Sequence, residues 1–143
     1  MYILTVGRGL APADKATVTL SIYGNIIKEE IEKIHERYSC AKISNYIIMP
    51  DHIHLILVMR YREEYAAGAS PRPTVMDIIC ALKSIITRRC KAIGYINKRL
   101  FQTSFYEHII RNKNDFDEIV YYIKSNPERR CKKQAAKENR NDR

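Results

Sequence analysis

Two histidines separated by one residue, His52 and His54, stand at the head of the apolar run "HIHLILVM". Alternate residues of a β-strand face the same side, and a rise of about 3.3 Å per residue places their Cβ atoms roughly 6.6 Å apart. Two imidazoles at this spacing can close on one metal ion, and histidine is the commonest metal ligand. The same pattern also suits a half-exposed polar strand face, so the pair alone leaves both interpretations open.

A second group of reactive side chains lies near the C-terminus, in "YYIKSNPE". Tyr122 and Asn126 are four residues apart, which places them on one face of a helix and about 6 Å apart along its axis. Tyr122 borders an apolar stripe and is predicted to face the sheet. A tyrosine there is either a packing residue with a hydrogen-bonded hydroxyl or a reactive group. Tyr121, followed four residues later by Ser125, is the competing candidate.

The elements that must position these residues follow from hydrophobic periodicity and turn residues. They are predicted in the order strand, helix, strand, strand, helix, strand, helix. The predicted segments are "MYILTV", a helix over 24–38, a hairpin of "CAKISNYIIM" and "HIHLILVMR", a helix over 75–93, "FQTSFYEHIIR", and a helix that begins at Asn114 or Asp115 and ends at Pro127. "ATVTLS" is a further short strand candidate. This order predicts a ferredoxin-like α+β sandwich, with an antiparallel sheet and helices packed on one face.

Length and composition fit one globular domain. The chain has 143 residues, of which 45% are hydrophobic and 29% charged, and no apolar run approaches the roughly 20 residues that span a bilayer. The first residues lack the basic and apolar regions of a signal peptide, which predicts a cytoplasmic protein. The four cysteines are widely spaced and predict reduced thiols rather than a disulfide framework.

The balance of charge points to a polyanionic partner. Lysine and arginine number 25 against 16 acidic residues, a net charge of +9, and such an excess favours nucleic acid. The basic residues concentrate in "KSIITRRCK" and in the tail "ERRCKKQAAKENRNDR". Candidates for phosphate contacts are Lys83, Arg88, Arg89 and Arg111. A solvated helix face would explain the helical ones equally well.

Taken together, these stretches resemble the HUH single-tyrosine transposase superfamily, and in particular the REP-associated tyrosine transposases. The resemblance is carried by "YIIMPDHIHLILV", "ALKSIITRRCKAIG", "FYEHIIRNKNDFDEIVYYIKSNPER" and, more loosely, "IYGNIIKEEIEKI", which together cover about Ile22 to Arg130. "MPDHIHLIL" and "YIKSNP" are the most specific, since they occur in the family's order and separation. The resemblance implies a transposase-like HUH domain over 1–130 and a basic C-terminal tail over 131–143. The segment before the first helix is shorter than in relatives.

The resemblance also implies roles for individual residues. His52 and His54 would bind a divalent metal, Mg²⁺ or Mn²⁺, with Asn126 completing the site, and Tyr122 would be the nucleophile. The implied activity is cleavage and strand transfer of single-stranded DNA, often hairpin-forming, through a 5′-phosphotyrosine intermediate. The alternative is a decayed or truncated relative that only binds hairpin DNA. A homodimer is left open.

The sequence leaves three further alternatives open. An RNA-binding ferredoxin-like domain would present exposed aromatic residues on its sheet, whereas the extended runs here offer the histidine pair and no aromatic cluster. His108 could approach the site, or it could be structural. Tyr106 could stack on a base, although packing is the more common role of such a residue.

Overall fold

The computed structural model describes residues 2–7, 20–60, 72–96 and 99–141, with side chains described for 20–60, 72–96 and 99–127. Four strands and four helices follow the predicted order, with one short helix added. They are β1 (Tyr2–Gly7), α1 (Ile22–Glu32), α2 (Ile34–Arg37), β2 (Ala41–Ile48), β3 (His52–Met59), α3 (Val75–Ala92), β4 (Tyr106–Ile109) and α4 (Lys113–Asn141). The first four residues of "ATVTLS" lie outside the described residues, and its last residue, Ser21, is the N-cap of α1.

The four strands form one antiparallel sheet in the order β2-β3-β1-β4. Strand β3 therefore lies between β1 and β2, although it follows both in the chain. This is the split β-α-β arrangement of a ferredoxin-like sandwich, so the predicted fold class is confirmed. The order also gives the histidine strand a central place, with a neighbour on either side.

The two faces of the sheet carry different helices. Ile53, Leu55 and Leu57 of β3 are buried on one face in the main core, which also contains the apolar stripes of α1 and α3. On the other face, Ile56 is buried with Ile123 of α4 in a second, smaller cluster. The expected packing of helices on one face thus holds for α1 and α3, while α4 covers part of the opposite face. Because side chains alternate along β3, His52 and His54 share the α4 face.

A β-bulge in β2 lets that strand serve both clusters. The register shifts between Ile43 and Asn45, so that Ile43 pairs with Leu57 while Asn45 pairs with Ile56. One extra residue reverses the side to which the following side chains point. Ile43 consequently packs against the main core, whereas Ile47 packs in the second cluster. The bulge thereby places an apolar residue next to His54, which is the register partner of Ile47.

The ends of α3 are fixed by local hydrogen bonds. Thr74 and Asp77 form a reciprocal capping box at its start, which satisfies two backbone N–H groups that have no partner within the helix. Gly94 follows its end with φ of 95°, a conformation that glycine adopts without steric cost. Ile93, predicted to be buried, is 45% exposed at this end.

An ion-pair cluster ties α1, α2 and α3 together. Glu30 is only 3% exposed, and its carboxylate accepts hydrogen bonds from Arg37 and from Arg89. Arg89 also donates to Glu29 at 2.7 Å. Burial raises the pKa of Glu30, but the hydrogen bonds from the two arginines outweigh it and hold that pKa below its usual value. A buried carboxylate is tolerated here because both guanidinium groups compensate its charge.

Helix α4 differs from its prediction at both ends. Asn112, rather than Asn114 or Asp115, provides the cap, since its Oδ1 accepts from the backbone N–H of Asp115 at 2.8 Å. The prediction that Pro127 ends the helix is wrong, because α4 continues to Asn141 with the proline inside it. The residues after Pro127 are mostly good helix formers, such as Glu, Arg, Lys, Gln and Ala, and they favour continuation. Much of the predicted tail is therefore helical in its backbone.

Two further expectations concern thiols and membranes. Cys40, Cys80 and Cys90 are free cysteines, as predicted, while the side chain of Cys131 lies outside the described set. No helix in the described part of the chain combines the length and apolarity that crossing a bilayer requires.

Candidate active site

The two histidines lie side by side at the start of β3. Their ring centroids are 4.6 Å apart and the ring planes are inclined by 77°. His54 is buried, whereas the side chain of His52 keeps 24% of its surface exposed. The shared face predicted from the spacing is therefore realised, and the pair has one shielded and one accessible member.

Asp51, in the turn before β3, fixes the orientation of His52. The His52 Nδ1 atom lies 2.6 Å from Asp51 Oδ1. A carboxylate can only accept, so His52 donates through Nδ1. A carboxylate that accepts from one imidazole nitrogen in this way fixes the orientation of the ring and leaves the other nitrogen to face a metal. Sequence reasoning did not single out Asp51, although a carboxylate directly before a histidine is a visible signal.

The environment of His54 keeps its imidazole uncharged. Burial lowers the pKa of His54 to about 4, and the neighbouring His52 acts in the same direction while Asp51 partly opposes both. At neutral pH the ring therefore carries no proton on one of its nitrogens. A neutral imidazole is the form that coordinates a metal.

Tyr122 on α4 reaches this pair from across the sheet face. Its ring centroid is 5.4 Å from that of His54, with the planes inclined by 73°. The side chain remains 41% exposed, so the phenol is accessible to a substrate while its ring contacts a buried histidine. The competitor, Tyr121, is 67% exposed and is turned about 100° away around the helix axis. Of the two tyrosines, Tyr122 is the one whose ring contacts a histidine of the pair.

Asn126 lies one turn beyond Tyr122, on the same side of α4. Its side chain is partly buried, and the Nδ2 atom, shielded from solvent, has no hydrogen-bond partner among the described residues. A buried polar atom without a partner is costly. Rotation of the amide by half a turn exchanges nitrogen and oxygen, so this position can present an oxygen ligand to a cation.

The donor set therefore suits a divalent ion. Within the described part of the chain, no group of three or more His, Cys, Asp and Glu side chains is placed to hold a metal. The residues that could do so are two imidazoles and one amide, namely His52, His54 and Asn126. Such a neutral set leaves coordination positions for phosphate oxygens and water, which Mg²⁺ and Mn²⁺ accept.

The four predicted phosphate contacts have different environments. Arg89 belongs to the ion-pair cluster with Glu30, and Lys83 donates to the backbone carbonyl oxygens of Gln102 and Thr103 at 2.5 and 3.1 Å. Both side chains therefore have structural partners. Arg88 and Arg111 are exposed, and neither forms an ion pair or a side-chain hydrogen bond with another described residue.

Arg88 borders a basic groove between the C-terminal half of α3 and the segment 99–103. This α3 groove has a volume of about 600 Å³. Its basic lining residues are Lys83, Arg88, Lys91 and Arg99, and none of the described residues that line it is acidic. The sequence prediction did not include Arg99 or single out Lys91, because only folding brings the segment 99–103 beside α3. The sheet separates this groove from the histidine pair.

Comparisons with known proteins support the fold. No family model matches the chain. An uncharacterised protein from Haemophilus influenzae is 27% identical over 120 residues, which cover 76% of this chain and 66% of that relative, just under two thirds of its length. A structure of a REP-associated tyrosine transposase bound to a REP hairpin is similar with a TM-score of 0.63 and 22% identity, over 90% of this chain and 67% of that one.

A second solved structure, of a protein assigned as a transposase in Deinococcus radiodurans R1, has a TM-score of 0.52 and 20% identity, over 87% of this chain and 88% of that one. At these identities the likeness shows a shared fold. The chain therefore has a fold that is found in transposases.

Proposed function

We propose that this protein is a metal-dependent tyrosine transposase that cleaves single-stranded DNA and transfers the cut strand. The observation that carries the proposal is the ring contact of 5.4 Å between His54 and Tyr122. It joins two motifs that are far apart in the sequence, and these are the two on which the resemblance to REP-associated tyrosine transposases depends. A hydroxyl nucleophile beside a pair of metal-binding imidazoles is the arrangement that this chemistry requires.

The reaction proceeds by displacement at phosphorus. The Tyr122 oxygen attacks the scissile phosphate, the P–O3′ bond breaks, and a 5′-phosphotyrosine bond forms. The tyrosine gives up its proton to solvent, and the departing 3′ oxygen takes up a proton to become a free hydroxyl. Since one phosphodiester bond replaces another, the bond energy is kept for rejoining to a new 3′-hydroxyl.

The histidines and the asparagine prepare the site for the phosphate. His52, oriented by Asp51, and the uncharged His54 would hold a divalent ion together with Asn126. When bound, such an ion supplies Lewis acidity toward a non-bridging phosphate oxygen. The partial burial of this face by α4 restricts the directions from which a phosphate can approach Tyr122.

The α3 groove supports contact with DNA outside the cleavage site. Its four basic side chains and the absence of acidic lining among the described residues suit a phosphate backbone. Because the groove and the histidine pair lie on opposite faces of the sheet, one DNA molecule would have to pass around a sheet edge to reach both. A hairpin next to a single-stranded segment could do so, and the REP-associated transposase that shares this fold is bound to a hairpin.

A cleavage assay tests the proposal. A labelled single-stranded DNA that forms a REP-type hairpin is incubated with the full chain, with Mn²⁺ or with a chelator. We expect metal-dependent cleavage that leaves a free 3′-hydroxyl on one product and protein on the 5′ end of the other. Hairpin binding without cleavage would favour the alternative of a binding-only relative, and an absence of both would contradict the proposal.

A further inference from the structure

Tyr106 is a large aromatic residue that the fold leaves without a packing role. It begins the strand β4, in which all four residues are exposed, and its own side chain is 65% exposed. Among the described residues its ring makes no aromatic contact and its hydroxyl makes no hydrogen bond. Packing, the more common role for a tyrosine in a strand, therefore does not account for it.

The register of the sheet places Tyr106 on the face of the candidate active site. Thr5 of β1 is the Cα partner of His54 on one side and of Tyr106 on the other. Residues directly opposite one another in antiparallel strands share a face. Tyr106 thus lies on the same face and in the same row as His54, two strands and roughly 10 Å away.

Within the part of the chain that the structure describes, α4 passes beside Tyr106 rather than over it. Near its start, α4 contacts β4 through Asp115, whose Oδ2 lies 3.4 Å from Nε2 of His108. Further along, Tyr122 of the same helix contacts His54 on β3. The helix therefore crosses the face obliquely from His108 toward His54. Tyr106 precedes His108 on β4 and lies to one side of this path. Tyr106 is therefore exposed on the face of the sheet that Tyr122 also contacts.

We infer that Tyr106 is a stacking platform for an unpaired base of the strand whose phosphate lies at Tyr122. The inference rests on the proposed function and deepens it, because it names a contact to a base rather than to a phosphate. A phenol ring offers a flat apolar surface but no charge, so the chemistry that it recognises is the face of a nucleobase. Stacking of this kind tolerates any base, and its loss weakens binding roughly 5- to 150-fold.

Equilibrium binding to two strands tests the inference. The full chain, in the presence of a chelator to prevent cleavage, is titrated into a labelled oligothymidylate and into an abasic strand of the same length. Tyr106→Ala should weaken binding to the oligothymidylate by about ten-fold or more and leave the abasic strand unaffected. Tyr106→Phe should bind as the unmutated chain does. Tyr121→Ala is the matched control, since Tyr121 is exposed to a similar extent, 67%.

A fluorescence measurement gives an independent readout, because the chain contains no tryptophan. In the Tyr106→Trp variant the single indole should be quenched by the oligothymidylate and not by the abasic strand, whereas in Tyr121→Trp it should respond to neither. Equal affinities of the unmutated chain and Tyr106→Ala for the oligothymidylate, or an equal loss on both strands, would overturn the stacking role alone. A chain that binds neither strand would overturn the proposed function as well.

Discussion

Replacing Arg89 by alanine should destabilise the fold, whereas replacing the adjacent Arg88 should not. Arg89 donates to the buried Glu30 at 2.5 Å and to Glu29 at 2.7 Å, while Arg88 is exposed. A hydrogen bond between charged groups at a buried site contributes about 1.5–3 kcal/mol. The half-exposed pair with Glu29 adds less than about 1 kcal/mol. Arg37 still contacts Glu30 in the variant. The free energy of unfolding should therefore fall by about 2–3 kcal/mol, less than the ~3–5 kcal/mol lost when a buried charge keeps no partner.

Thermal unfolding monitored by circular dichroism measures this difference. For a chain of this size 1 kcal/mol corresponds to about 4 °C in Tm, so Arg89→Ala should unfold roughly 10 °C below the unmutated protein. Arg88→Ala should stay within about 2 °C, as exposed substitutions change the free energy of unfolding by about 0.5 kcal/mol or less. Equal Tm values for the two variants would refute the structural role of Arg89.

The pH dependence of the same comparison provides a check on mechanism. The pKa of Glu30 is held below its usual 4.5 in the folded chain. Its pairing therefore stabilises the fold fully above that value, and the contribution is lost as the pH falls through the folded pKa. The gap in Tm between Arg89→Ala and the unmutated chain should narrow below about pH 4. A gap that stayed constant down to pH 2 would assign the effect to packing instead.

Three further predictions concern the candidate active site and the α3 groove. The folded pKa of His54 is about 4 against 6.5 for a free histidine, so without metal the free energy of unfolding should fall by roughly 2–3 kcal/mol as the pH drops from 6.5 to 4. Urea unfolding at each pH measures this loss, and a His54→Gln variant should not show it. The double variant Arg88→Ala and Lys91→Ala should reduce the steepness of log K against log salt concentration for single-stranded DNA binding by about 1.4, roughly 0.7 per phosphate contact. An unchanged slope would mean that these two side chains are only solvated on the surface of α3. Asp51→Ala should weaken Mn²⁺ binding, measured by calorimetry, by about 10- to 100-fold. Asp51→Asn keeps a hydrogen-bond acceptor, so its Mn²⁺ affinity should fall less. Equal losses of affinity in the two variants would contradict an orienting hydrogen bond from His52 to Asp51.

Local patterns in the sequence predicted the parts of the site that depend on one element at a time. The alternation of a strand predicted that His52 and His54 share a face, and helical spacing predicted that Tyr122, rather than Tyr121, faces the sheet. Both follow from backbone geometry that any strand or helix imposes. The order of elements likewise predicted the ferredoxin-like sandwich.

Features that join distant segments could not be predicted in the same way. The pairing of Arg89 with Glu30 depends on how α1 and α3 cross, and the bulge between Ile43 and Asn45 leaves no mark in the pattern of strand β2. The continuation of α4 through Pro127 was missed for a local reason, because the helix propensity of the residues that follow outweighs the effect of one proline. The position of Tyr106 in the same row as His54 depends on strand order and register, which come only from the assembled sheet.

The covalent protein–DNA adduct tests the central claim most directly. The chain is incubated with a labelled single-stranded DNA hairpin and Mn²⁺ and is then separated on a denaturing gel. Tyr122→Phe removes one hydroxyl and keeps the ring beside His54, so the fold and most of the DNA affinity should persist while the adduct disappears. Tyr121→Phe, one residue away and turned about 100° around α4, should form the adduct as the unmutated chain does. An adduct that persists in Tyr122→Phe and is lost in Tyr121→Phe would contradict the assignment of the nucleophile.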